Sequence, residues 1–269
     1  MILVELQILL RRPRTWVSLG ILVALPTLIA VFVSSTGIAP RPGQGPALLS
    51  EVLSNGTLFA AVALVIDMVL LLPLSVLVVA GDSVAGEAAS GTLRYLLVRP
   101  VSRSKLLVAK LSAIFTYGLV AVVTVAASGL IVGGLLFHSN GQITSISGGP
   151  PISQQGTALR IVLAVLYVGV SMLGVASFAL LLSTLTDAPL AAALGGFAAL
   201  VASTSLDTLD AAGSVRPYLP THYWLSFVDL FRNPILWRDI ERGLLLQVVL
   251  VLVLLGAAWA MFTTKDITS

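Results

Sequence analysis

Two places in the chain hold residues whose types and spacing could do chemistry. The first is Asp67, the only charged residue within an apolar run that extends approximately from Leu58 to Ala80. A carboxylate in mid-bilayer costs about 2.5–3.5 kcal/mol on insertion scales, so something must compensate it. One reading makes Asp67 part of a polar cavity or substrate path, with Pro73 kinking the helix about one turn later. The other makes it a protonated or hydrogen-bonded group that holds neighbouring helices together. The second place is the stretch Gly81–Lys105, which concentrates Glu87, Arg94, Arg99, Arg103 and Lys105. In a helix Leu93, Leu96 and Leu97 stand at i, i+3 and i+4 and share one face, Arg94 and Arg99 are displaced from it, and Pro100 ends the helix. Such a helix suits a soluble partner with an apolar groove, and equally suits an anionic lipid surface. Glu87 at its start either carries movement into the preceding apolar run or is a boundary carboxylate paired with Arg94 or Arg99.

Other chemistries lack their residues. With no cysteine, the chain has no disulfide, thiolate ligand or cysteine nucleophile. His138 and His222 stand alone, so a metal centre is not expected, and His222 between Thr221 and Tyr223 reads as a surface or interfacial residue. Gly-x-Ser-x-Gly and His-Glu-x-x-His do not occur, and no second intramembrane acid pairs with Asp67, which argues against an intramembrane hydrolase. The nearest approach to a phosphate-binding loop, Gly81-x-x-x-x-Gly86, continues with Glu87 and Ala88 where Lys and Ser or Thr are required.

The elements that must position these residues are membrane helices. Only 10% of the 269 residues are charged and 57% are hydrophobic, against about 25% and 45–50% in soluble domains. Mean hydropathy is +1.03. A bilayer core about 30 Å thick needs about 20 helical residues, and six runs qualify. They extend approximately over Thr15–Val33, Leu58–Ala80, Leu111–Phe137, Ile161–Leu182, Ala188–Ser205 and Leu244–Phe262. The basic start before the first run is read as the anchor of a retained span, since the run is long for a signal sequence and no convincing cleavage site follows.

Cations orient the spans. Arg11, Arg12, Arg14, Arg94, Arg99, Arg103, Lys105, Lys110 and Lys265 fall on one side, against Arg41 and Arg160 in the short loops of the other. Arg216, Arg232, Arg238 and Arg242 lie in the long segment before the last run. The positive-inside bias therefore predicts cytoplasmic N- and C-termini. The same cations flank apolar spans, so a pI near 9.5 needs lipid headgroups rather than nucleic acid to explain it. The chain reads as a single domain over residues 1–269, with an interfacial helix over 1–14, a cytoplasmic loop over 81–105, and an outer re-entrant or interfacial segment over 207–242. In that outer segment Trp224, Phe227, Val228 and Phe231 recur at i, i+3, i+4 and i+7, predicting a short amphipathic helix. Spans four and five form a tight hairpin in which Asp187 and Pro189 supply helix-start chemistry. Small residues along span five allow close helix approach, within one subunit or at a dimer axis.

Glu87-x-x-x-Gly91-Thr92-Leu93-x-x-Leu96-Leu97-x-x-Pro100-Val101-Ser102-Arg103, followed by Lys110, resembles the signature loop of the permease subunits of type 2 ATP-binding cassette (ABC) exporters. Glu5 through Arg14 resembles that family's N-terminal interfacial helix, and Phe262-x-x-Lys265-Asp266-Ile267 its closing motif. The likeness extends over essentially the whole chain. It departs at Ala88 and Ala89, where the family often has a charge, and at Thr263 and Thr264, where another base is common.

The resemblance implies an all-α membrane protein with six transmembrane helices, a short cytoplasmic coupling helix between spans two and three, and an outer segment that caps the exit path. It implies a half-transporter without an ATPase site, and hence no enzyme by itself. Glu87, Gly91, Thr92, Leu93, Arg94, Leu96, Leu97, Pro100 and Arg103 would meet a separate nucleotide-binding subunit, and ATP and Mg would be held there rather than in this chain. A second permease copy or a sister permease would complete a path for efflux of a hydrophobic or amphipathic substrate, with spans two and five at the dimer axis. The implied location is a prokaryotic inner or plasma membrane. The alternative is an ion-coupled secondary transporter with Asp67 as proton relay.

Overall fold

The computed structural model describes residues 11–36, 55–89, 103–137 and 150–264, with the isolated positions 7, 9, 48 and 52. Helices form along the apolar runs because a bilayer offers no water to pair backbone groups, so each span must satisfy its own N–H and C=O groups. In chain order they are α1 (Pro13–Thr36), a 3-10 turn η1 (Gly56–Leu58), α2 (Phe59–Val69), α3 (Leu71–Ala89), α4 (Arg103–Leu136), α5 (Gln154–Leu185), α6 (Pro189–Thr208), the 3-10 segments η2 (Asp210–Tyr218) and η3 (Trp224–Phe231), and α7 (Trp237–Thr264). Five of the helices are individually long and apolar enough to cross a membrane, and there are six such candidates if the bent pair α2–α3 is counted as one broken span. This is the architecture of a multi-pass membrane protein.

The helices overrun the apolar runs. α4 begins at Arg103 rather than Leu111, α5 at Gln154 rather than Ile161, and α7 at Trp237 rather than Leu244. The 34 residues of α4 extend about 50 Å, well beyond an apolar core about 30 Å thick, so its polar first turns project from the slab. Gly81–Ala89, expected as the start of a loop, continues α3. Of the expected N-terminal helix, Gln7, Leu9 and Arg11 are helical, while Glu5 lies outside the described residues.

Span two is broken rather than merely kinked. α2 and α3 meet at 54° across Leu70, whose φ of −141° and ψ of −58° leave the helical region. Pro73 is the cause: it has no N–H to offer the Val69 carbonyl, and its ring collides with that carbonyl in a continuous helix. Val69 therefore ends one helix, and Pro73 sits in the first turn of the next, where its missing N–H is no loss. Leu74 N–H restarts the ladder on Leu70 O at 3.0 Å.

α2 is the buried centre of its half of the bundle, with Phe59 through Val65, Asp67 and Met68 all buried. It lies against α4 without intervening side chains. A Cβ at Gly129 would stand 2.8 Å from Ala60 Cα, and one at Gly133 would overlap the Gly56 carbonyl. Glycine is required at both positions by this backbone-to-backbone approach. α5 is the hub of the other half, packing on α3, α4, α6, α7 and η3. Ala192, Ala193 and Gly196 of α6 are buried, and α6 packs on α3 within the same chain. Ala191, Leu194, Gly195 and Ala198, on its other face, are exposed.

Two local expectations are corrected. The N-cap of α6 is Ala188, not Asp187; Pro189 does take the first helical position, and Thr186 Oγ1 accepts the Ala188 N–H at 3.1 Å. The aromatic segment η3 is a 3-10 helix, so its repeat of three aligns Trp224, Phe227 and Leu230, with Phe231 also buried, and leaves Val228 half-buried. Its apolar face turns into the protein. Tyr167 Oη, thirteen residues into α5, donates to Tyr223 O at 2.5 Å, and Gln247 Nε2, ten residues into α7, donates to Pro220 O at 2.9 Å. The segment between α6 and α7 thus dips about 15–20 Å along its neighbouring helices.

Candidate functional site: a charge clasp at the neck of the 90–102 segment

α3 and α4 are the two helices from which residues 90–102 depart and to which they return. Helical spacing puts Ser83 and Glu87 at i and i+4 on the face of α3 toward α4, while Asp82 faces a different side. Lys110, in the second turn of α4, reaches both: its Nζ lies 2.6 Å from Glu87 Oε1 and donates to Ser83 O at 2.6 Å. Its side chain is only 1% exposed and that of Glu87 17%, so the pair is desolvated. A desolvated pair holds together only when its remaining hydrogen-bonding capacity is also met, which the Ser83 carbonyl helps to do.

Asp82 is held by the other flank. Arg12 and Arg14, at the start of α1, both reach its Oδ2, Arg12 through Nη1 and Arg14 through Nη2 at 3.0 Å. Gly86 makes room for this, since a Cβ there would stand 2.5 Å from Asp82 Oδ1. From a third side Ser183 Oγ, near the end of α5, donates to Gly81 O at 2.8 Å and accepts from the N–H groups of Val84 and Ala85 at 3.1 and 2.9 Å. The last turns of α3 are therefore tied to α1, α4 and α5. Glu87 lies just before residues 90–102, and Lys110 two turns after them.

The residues expected to dock a partner are divided by this geometry. Gly91, Thr92, Leu93, Arg94, Leu96, Leu97 and Pro100 lie outside the described residues, as does Arg99. Arg103 is the first residue of α4, and its side chain is likewise outside them. Glu87 is placed, and among the described residues it pairs with Lys110. Lys110 could be suspected from sequence because it follows the loop motif. Asp82 could not, because its partners are seventy residues away.

Asp67 belongs to a different part of the molecule, twenty residues back along span two. It is fully buried, three residues before the break at Leu70, and neither carboxylate oxygen has a hydrogen-bond partner among the described residues. His222, read as a surface or interfacial residue, is half-buried: its Nδ1 lies 2.5 Å from Asp207 Oδ1, and its ring meets Tyr223 edge-on at 4.5 Å. His138 lies outside the described residues.

No curated protein matches the chain. Residues 47–268 match the family described as a protein of unknown function (DUF2705), a span that takes in Asp67, Asp82, Glu87 and Lys110 but not Arg12 and Arg14. The chain therefore belongs to the DUF2705 family.

Proposed function

We propose that this chain is the membrane-spanning permease subunit of an ABC transporter, paired with a second permease and driven by separate ATPase subunits that grip residues 90–102 from the cytoplasm. The observation that carries the reading is the Glu87–Lys110 clasp, which joins the two helices flanking the segment that resembles a coupling loop. A partner that rotates that segment as a rigid body would move α3 and α4 together, and through α3 the break at Leu70. The partner contributes only its differential affinity for the two bundle states, so a stiff neck converts more of that difference into movement of the span. The exported cargo is hydrophobic or amphipathic, the membrane is a prokaryotic inner membrane, and both termini face the cytoplasm, a topology that the cation bias supports.

Leu93→Asp tests the reading. A charge on the apolar docking face is expected to leave membrane insertion intact, abolish co-purification with the ATPase, and return substrate-stimulated ATP hydrolysis in lipid to the unstimulated rate. Unchanged stimulation would refute the docking role.

A second reading rests on Asp67. A fully buried carboxyl with no hydrogen-bond partner among the described residues, beside a broken helix, is the arrangement expected of a proton relay. It predicts transport without any ATPase and collapse of transport when the proton gradient is dissipated.

A further inference from the structure

α3 runs from Leu71 to Ala89, but a neighbouring helix takes part in its hydrogen-bond ladder. The N–H groups of Val84 and Ala85 donate to Ser183 Oγ of α5 at 3.1 and 2.9 Å, and that hydroxyl donates to Gly81 O at 2.8 Å. In an unbroken helix Ala85 N–H bonds Gly81 O directly. The Ser183 hydroxyl stands between the two, an insertion of the kind that bends helices. Elsewhere in α5 the hydroxyls turn inward: Ser171 and Ser177 donate to carbonyls four residues back in their own helix, and Thr184 to one three residues back. The insertion lies where two parts of α3 meet. At Gly81 the helix is pressed against the first turns of α6, since a Cβ there would stand 3.0 Å from Pro189 O and 3.2 Å from Ala193 N. From Asp82 onward it is held by Arg12, Arg14 and Lys110.

Withdrawing Ser183 costs no hydrogen bond. Inserted, its hydroxyl takes part in three: from Val84 N–H, from Ala85 N–H and to Gly81 O. With the ladder shut, Ala85 N–H returns to Gly81 O, Val84 N–H returns to Ala80 O, and the hydroxyl turns to Ala179 O, four residues back, as Ser171 and Ser177 already do. That is again three. Neither arrangement leaves a buried donor unmet, so the large penalty that would fix one of them is absent. We infer that Ser183 is a positioning residue that gives α3 two settings, ladder open on Ser183 and ladder shut, and that displacement of the clasped end selects between them. Packed elements with two discrete arrangements convert a small displacement into a defined change of direction. The pull on the clasped end rests on the function proposed above, whereas the exchange of partners is a property of this chain alone.

The test uses the full chain in nanodiscs, without ATPase or nucleotide. Since the chain has no cysteine, spin labels go only to Ala89→Cys, at the exposed end of α3, and Ala191→Cys, exposed in the first turn of α6. Double electron–electron resonance is expected to give two distances between them. In Ser183→Ala only the shut ladder remains, and one of the two distances is expected to survive. Residue-resolved amide exchange is expected to find Val84 and Ala85 as protected in Ser183→Ala as in the parent, because carbonyls of α3 take their N–H groups. A serine that merely ties α5 to α3 gives the reverse: its loss orphans two buried N–H groups, speeds their exchange about tenfold or more, and broadens the distance distribution. Ser183→Thr, which keeps the hydroxyl, is expected to keep both distances. A single distance in the parent, two distances in Ser183→Ala, or loss of protection at Val84 and Ala85 would each overturn the inference. Failure of Leu93→Asp to uncouple the ATPase would leave all of these results unchanged, so the two readings fail separately.

Discussion

Lys110→Met is expected to destabilise the protein by about 3–5 kcal/mol, because it leaves the Glu87 carboxylate desolvated with its cation removed. The loss belongs to the uncompensated charge rather than to an intrinsically strong bond. Replacing both partners, as in Glu87→Met with Lys110→Met, is therefore expected to recover most of it, since well-packed apolar pairs commonly equal buried ion pairs in stability. Unfolding of both variants and of Glu87→Met alone closes a double-mutant cycle, with a coupling energy well above the 0–1 kcal/mol of an exposed pair. A cost below about 1 kcal/mol for Lys110→Met would mean that water reaches the pair and that the neck is not clasped. The double variant also separates folding from coupling. If the clasp transmits movement, that variant stays folded yet loses stimulated ATP hydrolysis, because two flexible thioethers replace a fixed ion pair.

Asp67→Val is expected to act in the opposite direction, raising stability by about 1–3 kcal/mol. The native carboxyl is buried with both oxygens unpartnered among the described residues, and removing an unmet polar group from an apolar setting relieves its desolvation cost. Function is expected to suffer as stability rises, the trade found where a strained group has a task. A lost charged contact of about 1.5–3 kcal/mol lowers the apparent affinity for a cationic substrate about tenfold to a hundredfold, while neutral substrates are spared. Parallel unfolding and transport assays decide the matter. Lower stability would show that Asp67 holds helices together. Loss of all transport, neutral cargo included, together with independence from ATP, would favour the proton relay.

Much of the bundle could be read from the chain because bilayer spanning is a length-and-composition constraint, and all six apolar runs fall on helices. Their ends were less legible. Arg103–Lys110 and Trp237–Gly243 are polar enough to look like loops, yet helical hydrogen bonding carries on past the apolar slab. The position of the break in span two followed from one residue, Pro73, but its 54° angle has no counterpart in the sequence. The aromatic segment shows how a small change in period reassigns a face: at 3.6 residues per turn Val228 joins Trp224, and at three it is Leu230 that does.

The site was harder to see. Glu87 was visible as a carboxylate at the foot of span two, and Arg94 or Arg99 were natural partners by sequence distance. Lys110 is a partner that sequence distance did not suggest, because α4 returns antiparallel beside α3 and brings its second turn to the level of Glu87, while Arg94 and Arg99 lie outside the described residues. Asp82 and its two arginines are separated by most of spans one and two, and no local pattern announces such a contact.

The account turns on where residues 90–102 lie and what grips them. The chain has no cysteine, so Leu93→Cys introduces a single thiol whose accessibility can be measured without background. A membrane-impermeant maleimide is predicted to label it only from the cytoplasmic side, and the partner ATPase is predicted to protect it. Labelling from the outside, or labelling that the ATPase leaves unchanged, would contradict the account.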